Sequence, residues 1–148
     1  MNPTLANVVF YGANVLYMGA FLSLVLWPRS VFITQRWVPL VHPVLLTVPY
    51  IVLAGPHLAK GALEYFSLEG IARLMGNGDI RLATWLDLMV VVPVVFSFVV
   101  RDLAARGASR AKIAVIALLG SAAAPLGLVL FVGDKWLASR RTPVRATP

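Results

Sequence analysis

Four long apolar runs, each bounded by charged or proline-bearing residues, set the pattern of this chain. The most continuous lies between Leu82 and Asp102, with one carboxylate, Asp87, inside one end and Arg101 and Asp102 closing the other. Roughly twenty apolar residues let a helix cross a bilayer core of about 30 Å, so residues 82–100 are read as a transmembrane helix. The same reasoning gives spans at 5–27, 37–58 and 113–133. The first closes on Trp27, Pro28 and Arg29, with the indole at headgroup level. The second holds Pro39, Pro43, Pro49 and Pro56. Each interior proline removes a backbone donor and crowds the carbonyl four residues back, which predicts a kink near Pro49. The fourth carries Pro125 and a small-residue face of Gly120, Ala124 and Gly127, against which another helix can pack closely in lipid.

The connection 59–81 has a pattern of its own. Ser67 has the character of an N-cap, Leu68, Ile71, Ala72 and Met75 repeat at helical spacing, and Gly76-Asn77-Gly78 ends the repeat. These residues predict a short amphipathic helix on the membrane surface, with Glu69 and Arg73 toward water. It is either a plain surface helix or a lid over a lateral opening between spans. Residues 134–148 form a basic tail that reads as flexible. The expected fold is therefore all-α: a polytopic membrane protein with one domain, 1–133, of four transmembrane helices and a short amphipathic interfacial helix, both termini on one side. That arrangement divides the basic residues seven against six between the two faces, so the positive-inside rule assigns no direction.

Composition supports the lipid setting and narrows the chemistry. Of 148 residues, 59% are hydrophobic and 13% charged, where soluble domains carry about a quarter charged residues. A multi-pass protein of the cell membrane is expected. The formal net charge of +7 is read as anchoring on anionic headgroups, which makes membrane lipid the expected partner. No basic helix or aromatic and basic motif supports nucleic-acid binding. The absence of cysteine excludes disulfides, thiolate metal sites and a cysteine nucleophile. The two histidines, His42 and His57, are fifteen residues apart, about 22 Å along a helix, so they do not share a metal ion, and no metal is expected. The first apolar run lacks the basic lead of a signal peptide and is too long for one, so it is expected to stay as a span.

Asp87 is the residue to question, because a carboxylate at the centre of a span costs at least about 2.5 kcal/mol. Four spans would gather Asn7, His57 and Asp87 in one leaflet. Asp87 and His57 are thus candidates for an acid and base pair. The competing reading has Asp87 reaching the interface, or pairing with Arg81 or Lys60.

The order of residues along the chain resembles a known family. Asn14 stands in a first span closed by Pro28, and Pro43, Pro49, Tyr50 and Leu53 in the second. Phe66-Ser67-Leu68-Glu69-Gly70-Ile71 with Leu74, then Trp85, Arg101-Asp102 and Pro125-Leu126-Gly127-Leu128 follow. This pattern is similar to the neoxanthin-synthase-like, or abscisic-acid-deficient type, family of four-span membrane proteins. The resemblance implies a link to carotenoid conversion, in plants the opening of an epoxide to an allene without a redox cofactor. Such a reaction needs an acid at the epoxide oxygen and a base for a polyene proton. In the family's third span a histidine follows the tryptophan by two residues, with an aspartate one turn on. Here Asp87 takes the histidine's place, and nothing ionisable stands near Val92.

Two functions of different class follow. In one, the protein binds, and as an enzyme isomerises, a carotenoid or similar apolar polyene. Asp87 and His57 are then the catalytic candidates, and Asn7, Asn14, Tyr50 and Trp85 the ligand contacts. It requires no cofactor; a carotenoid pigment or a lipid is the bound molecule expected. In the other, it is a small non-catalytic accessory subunit of a larger membrane complex, photosynthetic or respiratory.

Overall fold

The computed structural model describes residues 3–61 and 67–141. Helix α1 (Pro3–Leu26) is followed by a π-helical segment (Ile33–Val41), α2 (His42–Gly61), α3 (Leu68–Met75), α4 (Gly78–Ala105), α5 (Arg110–Ala122) and α6 (Ala124–Arg141). Among the described residues three helical stretches, Thr4–Leu26, Ile33–Pro56 and Gly78–Ala105, are long and apolar enough to cross a membrane.

Helix α4 is the hub, touching α1, the π segment, α2, α3 and α5. Its inward face buries Leu86, Met89, Pro93, Phe96, Val100 and Leu103, while Leu88, Val91, Val95 and Phe98 stay exposed. Exposure of this kind is what lipid permits, since tails solvate leucine as well as a protein core does. Aromatic contacts fix α1 beside α4 in parallel: Phe10 meets Trp85 at 6.0 Å between ring centroids, and Phe21 meets Phe96 at 5.6 Å.

The second span is wound in two ways. Helix α2 runs without a break through Pro49 and Pro56, and the irregular winding lies earlier, in nine residues of π-helix around Pro39. The wider π turn separates the Pro39 ring from the carbonyl four residues back, relieving the clash that an α-helix would force there. Helix α3 is present as its spacing indicates, with the Ser67 hydroxyl accepting from Gly70 N at 3.0 Å and with Glu69 and Arg73 exposed.

The fourth span requires a correction. Residues 113–133 are not one helix, because the chain breaks at Ala123, whose φ and ψ are −152° and 89°. A straight helix would set Lys112 and Asp134 about 33 Å apart. Instead the Lys112 ammonium donates to the Asp134 carboxylate, which also accepts from Arg106 at 3.1 Å. Helices α5 and α6 therefore form a hairpin that enters the bundle and returns to the face it left. Its tip reaches the middle of α1, where the Tyr17 hydroxyl donates to the Ser121 carbonyl at 2.7 Å. The hairpin closes tightly because a methyl on Gly127 would fall on the Gly120 backbone, and one on Gly120 would fall on the Phe96 ring. At the entry, Gly107 takes a φ of 74°, and Ala108 N donates to Leu103 O at 3.0 Å in a Schellman ending. Ser109 then caps α5 by accepting from Lys112 N.

The three long helical stretches alternate in direction and the hairpin turns back, so the start of α1 and the end of α6 lie at opposite ends of the bundle, where four spans would have set them at the same end. The charge balance changes with them. Arg29, Arg36, Arg101, Arg106, Arg110, Lys112, Lys135 and Arg140 gather at the hairpin end, eight against Arg73 and Arg81 at the other among residues with described side chains. The positive-inside rule then has a direction to give. In bacterial inner membranes, a cysteine at Glu69 should react with an impermeant maleimide from outside and one at Ser139 only after lysis. Equal labelling of the two from one side would rule out the hairpin.

The clamp at the base titrates. The Lys112 hydrogen bond, aided by the charges of Lys112 and Arg106 and opposed by partial burial, holds the Asp134 carboxyl below its ordinary value. A depressed folded pKa contributes stability above the unfolded value of about 4 and loses it as pH falls through the folded one. Thermal midpoints in detergent should drop on acidification below about pH 4, and the drop should shrink in Asp134→Asn.

Candidate functional site

The candidate residues of α4 point two ways. Trp85 and Asp87 are two positions apart on a helix of about 100° per residue, so they face opposite sides. Each side has a cavity.

The first lies under the hairpin tip and measures about 360 Å³. Asn14, Tyr17 and Met18 of α1, Trp85 and Leu88 of α4, and Ser121 and Ala124 of the hairpin line it. Met18 and Leu88 are also exposed, so the cavity opens sideways into lipid. Its polar groups are few. Asn14 donates its amide to Phe10 O at 2.7 Å, leaving the amide oxygen as an acceptor. The Trp85 indole N–H is buried without a partner. The N-terminal, electropositive end of α6 starts at Ala124 on the cavity wall.

The second cavity, about 240 Å³, is lined by Tyr50 and Ala54 of α2, Ile71 and Met75 of α3, and Thr84 and Asp87 of α4. Helix α3 thus forms one side of it, through Ile71 and Met75, which also keep exposed surface. Asp87 is exposed and makes no ion pair with Arg81. The sequence candidates are therefore split: Asn14 and Trp85 share the first cavity, Tyr50 and Asp87 the second. Asn7 is exposed on α1 and lines neither. The side chains of His57 and Lys60 lie outside the described residues, and with them any pairing to Asp87.

Sequence reasoning missed Tyr17 and Ser121, which the hairpin brings together. The signal was there in Gly120 to Pro125, a stretch of small residues and proline that interrupts an apolar run, as it does where membrane helices break around a site. It also passed over His42. That ring is fully buried where the π segment meets α2, and neither nitrogen has a partner.

Against this geometry the comparisons are informative. Residues 8–131 match the profile of the ABA DEFICIENT 4-like family, more than four-fifths of the chain, leaving out the first residues of α1 and the end of α6. The chain belongs to the ABA DEFICIENT 4-like family. No curated protein and no solved structure matches it. The match to this ABA DEFICIENT 4-like profile spans both cavities and the hairpin tip, so all three fall within the family's common region.

His42 supplies a test of its own. A buried polar group without a partner costs about 1–3 kcal/mol, and an apolar group of similar size removes that cost. His42→Leu should therefore unfold at an unchanged or higher temperature in detergent, read by circular dichroism. A loss of several degrees would mean that the imidazole has a partner in the working protein.

Proposed function

We propose that this membrane protein binds a carotenoid or similar apolar polyene, with an oxygenated end ring seated under the hairpin tip. The family links the chain to carotenoid and neoxanthin metabolism in membranes. The observation that carries the reading is a cavity open to lipid whose wall holds both Trp85, with an unpartnered indole N–H, and Asn14, with an amide oxygen left as an acceptor. A donor and an acceptor on the wall of a mostly apolar space suit a hydroxyl or epoxide oxygen. A volume of about 360 Å³ is near the small end for ligand pockets. It takes one end of a long molecule, and the polyene tail leaves between Met18 and Leu88 along the exposed faces of α1 and α4.

Binding is favoured over isomerisation on the placement of acids and bases. The Tyr17 and Ser121 hydroxyls on its wall already donate to backbone carbonyls, and no carboxylate or imidazole lines it among the described residues. Asp87, the acid or base candidate from sequence, stands on the far face of α4.

The test is expression in a carotenoid-producing host, purification in mild detergent, and a visible spectrum with pigment quantified per chain. A structured polyene spectrum near stoichiometry is expected. Trp85→Phe and Asn14→Leu should each lower retention by roughly five- to tenfold, the worth of one hydrogen bond. Asp87→Asn should leave retention unchanged. Pigment-free wild-type protein recovered in a large assembly of defined proteins would instead support the accessory-subunit reading and sink this one.

A further inference from the structure

The hairpin end of the bundle holds a second polar cavity, distinct from the polyene site. Arg29, Thr34 and Gln35, at the turn from α1 into the π segment, share about 240 Å³ with Arg101, Ala104 and Ala105 near the end of α4. Two arginines, Arg29 and Arg101, stand on the wall of this one space, and both keep their charge at any physiological pH. No carboxylate among the described residues answers them. Asp102, the neighbour of Arg101, is engaged by Arg106 at 2.8 Å, and Asp134 is held by Arg106 and Lys112. Arg101 stacks over the Phe98 ring at 5.1 Å, which orients the guanidinium without neutralising it. The Thr34 hydroxyl is turned away to Ser30 O.

Two arginines on the wall of one cavity, with no carboxylate among the described residues to pair with them, favour an anion there. We infer that this cavity binds the phosphate group of an anionic membrane phospholipid. The planar fork of arginine matches phosphate oxygens in pairs, and basic pockets between membrane helices are suited to such headgroups. The same phosphate chemistry is offered by free phosphate in water, and position decides for lipid. The cavity lies at the end of two spans, beside Trp27, where tryptophans mark the headgroup layer. Val31 and Phe32, exposed by 61% and 57%, continue from it and offer an apolar surface to acyl chains.

Purified protein in detergent, titrated separately with phosphatidylglycerol, phosphatidylcholine and sodium phosphate, tests this by native mass spectrometry. Phosphatidylglycerol should be retained in preference to phosphatidylcholine. Arg29→Gln and Arg101→Gln should each cut that retention about tenfold. Arg140→Gln, a basic residue outside the cavity, should not. Arg101→Lys, which keeps the charge and loses the fork, should fall between and guards against a misfolded glutamine variant. Equal retention of the two lipids, or an equal loss in Arg140→Gln, overturns the site. Displacement of phosphatidylglycerol by stoichiometric sodium phosphate overturns the lipid assignment.

Discussion

A chain that turns back inside an apolar layer leaves backbone groups without their helical partners, and lipid supplies none. Here the close approach of Gly120 and Gly127 under the Phe96 ring makes the turn feasible, because two backbones meet where any side chain would hold them apart. The freed groups are answered locally. Tyr17 donates to Ser121 O, the Ser121 hydroxyl donates to Leu118 O, and Ala123 O accepts from Leu126 N and Gly127 N. The break sets the cavity under the tip, the return of α6 to the basic face, and the separation of the termini. A single straight helix over the same residues would erase all three.

The two ends of the hairpin hold it with different strength. At the base, Asp134 meets Lys112 and Arg106 where all three side chains retain solvent exposure of 21% to 46%. Pairs of that kind are worth about 0–1 kcal/mol. At the tip, adding one methyl to a packed contact costs about 1–3 kcal/mol. The Tyr17 bond there sits in a low dielectric, where a lost partner is costly. The tip packing is therefore the main hold, and the base fixes which face the tail emerges from.

Much of this was legible in the sequence, and the failure is instructive. Apolar length found three spans, Ser67 marked α3, and the order of short motifs pointed to the family. The fourth apolar run misled because length counts residues and not direction: 113–133 has the composition of a span whether or not it folds back. Gly120, Ala124 and Gly127 were read as a surface for another helix, and they serve the same physics within one hairpin. Prolines marked the second span as the irregular one, and the π winding around Pro39 was not foreseen from them. Pro49 is absorbed by α2, whereas Pro39 coincides with the π winding. Nothing in spacing alone distinguishes those two outcomes.

The candidate site shows the same limit at finer scale. Trp85 and Asp87 are two residues apart in sequence and opposites on a helix, so one set of site candidates that held both joined groups that α4 keeps apart. Their environments differ. Trp85 has a buried donor with no partner, which an oxygen-bearing ligand would satisfy. Asp87 is exposed beside Tyr50 and beneath α3, where it can keep contact with the interface instead of paying the cost of full burial. An intramembrane carboxylate is a natural first suspect for chemistry. In this fold the stronger call for a ligand comes from the unpaired indole, because an exposed carboxylate has other means of solvation and a buried N–H has none.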